Sequence, residues 1–485
     1  MIDVIELLGG PAPAPAQRIE PRRQRQSPPP YIVLGADAGQ RRAYERLRRN
    51  EFVERQGLFA RSDLDDCDSD PDTRVLVAVD PAGTVIGGVR IHAGCPGGSL
   101  IGFWQGSRLV CTRQSGRQRA EVGAALVRAA CAVALESGAL RFDAVVQARH
   151  ERFFRALGWE FVRTVPFAGR PHVRMRWPVD RFQPLITSFK QTISPLVGSL
   201  LPQDRWRGDD AYPISGSELV TCVDAITPSM VAQDPEWAGW CGVLVTAHDI
   251  AAMGAAPVAA LDALGAANVS HAQRVIAGIR AASEAFDLPV VGGHTQLGVP
   301  AALAMTGIGR TADPIPAAGG RPGDALSVTV DLSGGWRPGY HGRQWDSTSD
   351  KGRAELTAML RTVAVHRPRA AKDVSMAGIV GTAGMLAEAS GTGVELEVAA
   401  IPRPAGAQLA DWLTCFPGYG VISVDSPDRT PIEAPGAASA RCGALTHEPG
   451  VRLRWPDGEI TVAITDSHVT GLGPASEPRS PLPKE

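Results

Sequence analysis

The second half of the chain carries acidic residues at the ends of short, glycine-punctuated segments. They come in series: Gly208-Asp209-Asp210-Ala211, Thr221-Cys222-Val223-Asp224, His248-Asp249-Ile250-Ala251-Ala252-Met253-Gly254-Ala255-Ala256-Pro257, Gly292-Gly293-His294-Thr295 and Lys372-Asp373-Val374-Ser375. Mg²⁺ prefers carboxylates, waters and phosphate oxygens as ligands. Glycine lets backbone N–H groups approach phosphate oxygens closely. Together they suit the holding of a magnesium-bound polyphosphate, so the C-terminal part of the chain reads as an ATP-using enzyme.

The pieces differ in weight. Asp209 and Asp210 also fit a solvated turn, because Gly-Asp-Asp is ordinary turn composition. Asp224 ends an apolar run and serves equally as a strand-end cap or a ligand. Asp249 stands in an apolar, small-residue stretch from 243 to 260. A charge there is expensive to bury unless it is paired or metal-bound. His294 follows two glycines at the end of a buried-looking strand, where ligand loops of α/β proteins lie. Asp373 precedes a helix and fits either a ligand or an acid at a helix N-terminus. His248, Lys372 and His341 could touch substrate or stand behind the residues that do.

In this order the segments resemble the aminoimidazole ribonucleotide (AIR) synthetase superfamily, together with Pro322-Gly323-Asp324 and the Asp-Val-Ser-x-x-Gly that starts at Asp373. The resemblance covers 183–465, and Asp249 to Pro257 is its most specific piece. The superfamily includes selenophosphate synthetase, thiamine-monophosphate kinase and the hydrogenase maturation factor that dehydrates a carbamoyl group. The likeness is nearest to uncharacterised synthetase-related proteins fused to an acetyltransferase-like domain and associated with nitrilase gene clusters. It implies a two-layer α/β subunit that forms a homodimer through a shared β-barrel. Mg²⁺ and ATP would lie in a cleft lined partly by the partner. Asp209, Asp210, Asp224 and Asp249 would face the metal. Gly208, Ala211, Gly292, Gly293 and Thr295 would line the nucleotide, and Asp249, His294 and Asp373 would serve catalysis. The shared chemistry is transfer of the γ-phosphoryl group, with the protein mainly positioning the groups.

Three departures narrow the branch. The kinase branch would show another acid just after Ser375, where Met376 and Ala377 stand, and Gly-Gly-Asp-Thr where this chain has Gly-Gly-His-Thr. The selenium branch would carry a cysteine before Gly208, and residues 181–208 have none. The hydrogenase-maturation branch would end in cysteine, whereas this sequence ends Pro-Lys-Glu. An enzyme that activates an amide- or carboxylate-like substrate is what remains.

The N-terminal block suggests other chemistry. The segment 108–126 resembles motif A of the Gcn5-related N-acetyltransferases, with Gln118, Gly123 and Ala124 placed to meet the acetyl-CoA pyrophosphate at a helix N-terminus. Residues 42–59 resemble that family's opening helix, and Phe153-Phe154-Arg155-Ala156-Leu157-Gly158-Trp159 its motif B. Glu121 replaces a motif glycine, and Phe154 replaces the tyrosine that can protonate a leaving thiolate. Glu51, Glu54, Asp66 and His150 are the candidate general bases. Two readings stand: a bifunctional enzyme that also N-acetylates, or a synthetase whose acetyltransferase-like part binds a ligand or acts as a scaffold.

Several elements must position these residues. Hydrophobic periodicity predicts helices over 42–56, around 122–133, 151–157, 182–201, 238–252, 271–287, 353–365 and 376–388. Strands are expected at 73–79, 85–91, 107–111, 142–147, 219–223, 255–262, 289–291, 301–308, 325–330 and 394–398, the first two as a hairpin through Asp80-Pro81-Ala82-Gly83. The expected class is α/β (α+β): a disordered tail at 1–28, an acetyltransferase-like domain at 29–180, AIR-synthetase-like N-terminal and C-terminal domains at 181–320 and 321–465, and a loose tail at 466–485. A chain of 485 residues is too long for one core. Its net charge of -2 gives no reason to expect a nucleic-acid or membrane partner. Eight cysteines without a CxxC pair and an acidic start without a basic n-region point to a reduced, cytoplasmic protein.

Overall fold

The computed structural model describes residues 31–112, 116–465 and 469–476, with the side chains of 116–118 outside the description. The tail expected at 1–28 lies outside the described residues. Part of the second expected tail does not hang loose: Val469 and Thr470 are buried. Glu388 accepts from the Thr470 N–H (2.7 Å), the Thr470 hydroxyl (3.0 Å) and the Gly473 N–H (2.9 Å). A buried carboxylate needs such donors, and this segment supplies them.

The first sheet has seven strands: β1 Ile32–Gly35, β2 Arg74–Val79, β3 Val85–Ala93, β4 Phe103–Cys111, β5 Arg141–Gln147, β6 Glu160–Phe167 and β7 Arg170–Trp177, in the order β1-β2-β3-β4-β5-β7-β6. Three helices accompany it: α1 Ala38–Arg48, α2 Gly116–Glu136 and α3 Glu151–Ala156. The first begins ahead of the expected 42–56 because Asp37 and Gln40 form a reciprocal capping box. Its last turns, Arg49–Arg55, widen to π geometry. Asp80 closes the predicted hairpin, accepting from the Ala82 and Thr84 N–H groups. Only β4 and β5 run parallel, and they pair only from Phe103 to Gly106 against Arg141 to Ala144. Beyond that they part, and β4 bulges through Arg108, which has a positive φ of 55°.

The hairpin of β6 and β7 was not legible as strand pattern. Its positions Arg163, Arg174 and Arg176 read as polar surface, yet they meet acids far away in sequence. Arg176 Nε donates to Asp143 (2.7 Å), Arg174 donates to Asp457 (3.0 Å) and Arg163 to Glu459 (2.8 Å).

Next come two short helices, α4 Gln183–Phe189 and α5 Ile193–Val197, in place of the single helix expected over 182–201. Pro195 sits in the first turn of α5, where its missing N–H is tolerated, but it could not bond back to residue 191 in one continuous helix. The second sheet has five strands in the order β11-β10-β12-β9-β8: β8 Tyr212–Pro213, β9 Leu219–Ile226, β10 Ala256–Ala266, β11 Val290–Leu297 and β12 Ala302–Arg310. Helices α6 Pro228–Gln233, α7 Pro235–Ala252 and α8 Val269–Phe286 cover one face. Helix α7 is buried along nearly its whole length, which explains its continuous apolar sequence. It approaches α8 so closely that a side chain on Gly278 would collide with the Glu236 carbonyl. The other face of the sheet is bare: Val223 is 67% and Val291 65% exposed, with Val258, Leu261 and Leu297 beside them in exposure.

The third sheet has seven strands in the order β16-β18-β13-β19-β17-β20-β21. They are β13 Ala325–Val330, β16 Ala370–Asp373, β17 Gly393–Glu397, β18 Gly420–Asp425, β19 Ala438–Thr446, β20 Val451–Arg454 and β21 Ile460–Ile464, and a two-residue ladder, β14 Gly335–Trp336 with β15 Trp345–Asp346, stands apart. Helix α11 Gly378–Ala389 is wholly buried and shares its core with α12 Leu409–Trp412, while α9 Arg353–Leu360 and α10 Thr362–His366 pack instead with α7 and α8 in the core of the second sheet.

Arg141, fully buried, joins the first sheet to the third. Its guanidinium donates to Asp143 (2.9 and 2.6 Å) and to Asp457 (2.7 and 2.9 Å), and it lies 3.9 Å over the Phe103 ring. Phe103 and Leu140 share one hydrophobic core with Trp455 and the third sheet. Among the described residues no helix is long and apolar enough to cross a membrane.

Candidate active site

Helix α7 delivers Asp249 from its last turn, β9 delivers Asp224, and β16 ends in Asp373. Asp210 follows Gly208, whose φ of 85° turns the chain at the end of a loop. One oxygen each from Asp210, Asp249 and Asp373 lies within 4.8 Å of the others. Asp224 adjoins them through a hydrogen bond with Asp249. Burial pushes the Asp249 carboxyl well above its ordinary range, and the charges of Asp373, Asp224 and Asp210 push it further. Asp373 is raised likewise, by burial first and then by Asp210. Carboxylates packed this way repel one another unless protonated or bridged by a cation.

One cation is built in. Lys372 Nζ bonds Asp210 and donates to the Gly208 carbonyl at 3.0 Å. Burial alone would lower its pKa, but Asp210 outweighs burial and holds it above the ordinary lysine value. The Asp373 N–H donates to the second Asp210 oxygen (3.0 Å). Lys190, at the end of α4, faces the same acids. Burial and Lys372 lower its pKa, against Asp373, Asp224 and Asp210.

The predicted residues divide. Asp373, expected to serve catalysis, stands among the clustered carboxylates. Asp209, expected among the metal-facing acids, is not one of the three that converge: its Oδ1 accepts from the Ala317 N–H at 2.8 Å. Its Oδ2 is buried without a partner, and burial raises its pKa to about 7. Ser375 Oγ is likewise buried and unpartnered. Ala211 is buried beside the cluster, in a small core with Ile250 and Met253.

Gly292, Gly293, His294 and Thr295 lie on the edge strand β11, and the structure does not bring them to the acids. Asp224, Met305, Asp262 and Gly293 form one row across β9, β12, β10 and β11. Three interstrand spacings put Gly293 about 14 Å from Asp224. A side chain at Gly293 would collide with Asp262, so packing accounts for that glycine. His294 is exposed. His248 is a core residue, edge-on to Phe286 and Tyr419, and burial lowers its pKa to about 3.

Sequence reasoning left Lys372 open and missed Lys190. The signal for Lys372 was a lysine inside a short strand beside a candidate ligand. Lys190 had none, because it lies in a separate short helix.

A second site opens where β4 and β5 part. It is a cavity of about 400 Å³, lined by α2, β4, β5, α3 and the turns after α1. Gly123 lines it; Ala124 and Glu121 are not among its walls, and the Gln118 side chain lies outside the described residues. Phe154 lines it, packed edge-on to Phe153 and Trp159. Of the four candidate bases only Glu51 and His150 reach the cavity. Glu51 is bonded by Arg55 and Gln56, which outweigh burial and lower its pKa. Burial, Arg149 and Arg119 lower that of His150. His172, not foreseen, is also in the wall.

Residues 208–311 match the family described as AIR synthase related protein, N-terminal domain, and 321–456 match its C-terminal domain. An uncharacterized protein of Synechocystis is 39% identical over 223 residues, which is 44% of this chain and 69% of that protein. The chain belongs to the AIR synthase-related family. A thiamine-monophosphate kinase of Rhodopirellula baltica is 36% identical over 206 residues, 41% of this chain and 62% of the kinase. The crystal structure of thiamine monophosphate kinase from Aquifex aeolicus is 20% identical, with 56% of this chain and 97% of that one covered and a TM-score of 0.42. In this AIR synthase-related chain Asp210, Asp224 and Asp249 fall inside the first matched region and Asp373 inside the second.

Proposed function

We propose that the AIR synthase-related part of the chain transfers the γ-phosphoryl group of ATP to an oxygen of an amide- or carboxylate-like substrate. The convergence of Asp210, Asp249 and Asp373 on one point carries this reading. The donor set fits magnesium: the three converging groups are hard carboxylate oxygens, and Asp209 Oδ2 and Ser375 Oγ, close in sequence to Asp210 and Asp373, are buried without hydrogen-bond partners. Magnesium bound there would neutralise phosphate charge and orient the nucleotide. Lys372 holds Asp210 in place through their ion pair. Lys190 brings a second positive charge toward the same cleft, suited to a phosphate oxygen. Burial of Asp249 and Asp373 keeps bulk water from competing for the transferred group.

We further propose a homodimer through the bare face of the second sheet. Exposed apolar area of this kind marks an interaction surface, and it would place His294 and Thr295 at the partner's edge of a shared cleft. The N-terminal cavity supports acyl transfer from acetyl-CoA. Past Gly106, β4 has no β5 partner, so its backbone groups face the cavity, where a thioester carbonyl could use them.

The test is calorimetric titration of the full chain with a non-hydrolysable ATP analogue, with and without magnesium. Binding that requires magnesium, with one site per subunit, supports the reading; magnesium-independent binding or none refutes it. Phosphate transfer to thiamine monophosphate would refute the acceptor class alone.

A further inference from the structure

The N-terminal cavity contains a nitrogen base poised by its own hydrogen bond. His172, on β7, is 97% buried by the protein and lines the cavity. Its Nδ1 is 3.0 Å from the Arg170 carbonyl oxygen. A carbonyl can only accept, so Nδ1 carries the proton, and in the neutral ring Nε2 is left with a lone pair. Nε2 has no hydrogen-bond partner among the described residues. The ring is fixed further by an edge-on contact with Phe167, centroids 5.2 Å apart. Phe167 in turn meets Phe59 edge-on at 6.1 Å, and both line the cavity. Across the strand pair stands Gln147, whose amide donates to Gln56 at 2.8 Å. The end of the cavity near His172 is thus an aromatic slot with one base in its wall.

The alternatives nearby are spent. Glu51 is tied to Arg55 and Gln56. His150 Nε2 accepts from Arg149 Nε (3.2 Å). Phe154 has no proton to exchange.

We propose that His172 Nε2 is the general base of the N-terminal site, acting on a primary amine with an aromatic or apolar body that packs on Phe59 and Phe167. This deepens the acyl-transfer reading above and rests on it. The amine nitrogen attacks the thioester carbonyl of an acyl-CoA, and a C–N bond forms. His172 Nε2 takes one proton from that nitrogen. The C–S bond breaks, the thiolate leaves with the electron pair, and it takes a proton from the imidazolium or from water.

The experiment uses the full chain, acetyl-CoA and a series of arylalkylamines beginning with 2-phenylethylamine. Calorimetry measures acetyl-CoA binding, a thiol reagent measures release of CoA, and diethyl pyrocarbonate footprinting reports Nε2. The expected results are that His172 is carbethoxylated in the free protein and protected by acetyl-CoA, and that His172→Gln binds acetyl-CoA within about twofold of the parent. The rate of His172→Gln should fall by about 10²- to 10⁴-fold, the usual share of a general base. Failure of the parent protein to bind acetyl-CoA would overturn the acyl-transfer reading itself. Binding with an unmodifiable His172, with no CoA release for any amine, or with an undiminished rate in His172→Gln would overturn the role of His172 and leave that reading standing.

Discussion

Replacing Asp249 by asparagine should move stability in opposite directions with and without magnesium nucleotide. Without ligand, Asp249 is buried against three other acids and its carboxyl is held well above its ordinary range by burial, Asp373, Asp224 and Asp210. Asparagine is isosteric, and its amide can keep the hydrogen bond to Asp224. The substitution removes a group that is costly to ionise there, so stability without ligand should stay level or rise by up to about 2 kcal/mol, as when buried charges are replaced by neutral groups of the same shape. With ligand the order reverses. A nucleotide at a hundredfold excess over Kd stabilises the native protein by about 2.7 kcal/mol. The variant should lose that increment, because one of the three converging carboxylates is gone. Urea unfolding of both proteins, each with and without magnesium and a non-hydrolysable ATP analogue, measures all four values. The reasoning is refuted if ligand stabilises Asp249→Asn as much as the parent. A loss of more than about 2 kcal/mol without ligand would refute it too, since a residue that costs stability by repulsion cannot also be needed for it.

Arg141→Met should cost about 3 kcal/mol, the low end for breaking a buried ion pair, because Asp143 keeps Arg176 and Asp457 keeps Arg174. Urea unfolding should then separate the first sheet from the rest as an earlier transition. The same junction should weaken in acid. Burial would raise the Asp457 carboxyl, but bonds and charge from Arg141 outweigh it and hold its pKa at about 2. A depressed carboxylate stabilises the folded state above its unfolded pKa of about 4, and that contribution fades as pH falls from there through about 2. Between pH 5 and 8 that contribution is full and constant, so the stability gap between the parent and Asp457→Asn should be flat there and should close as pH falls from about 4 through about 2. Val223→Lys together with Val291→Lys should convert a dimer to a monomer in sedimentation without loss of helix content; an unchanged mass would place the subunit contact elsewhere.

Much of the site was legible because its local context was unusual. An acid inside a long run of small apolar residues, as at Asp249, has few explanations, and a helix buried on all sides supplies one. The Asp80 turn and the apolar runs of β2 and β3 were visible because they arise from neighbours in sequence. The hairpin of β6 and β7 was hidden because its arginines are neutralised by Asp143, Asp457 and Glu459, two of them about three hundred residues away. The helix expected over 182–201 erred differently: the apolar spacing was right, and one proline divided it.

Sequence by itself determined which residues were available for chemistry and in what order they came, since residue type and spacing are local properties. Tertiary packing decided which of them meet. Asp373 joins Asp210 and Asp249 because β16 ends against α7 and the Gly208 loop. Asp209 turns away because the Ala317 N–H takes its oxygen. His294 is exposed because β11 is an edge strand, open to solvent along nearly its whole length. Convergence of charges separated by more than a hundred residues depends on how whole layers pack, and no short stretch of chain encodes that.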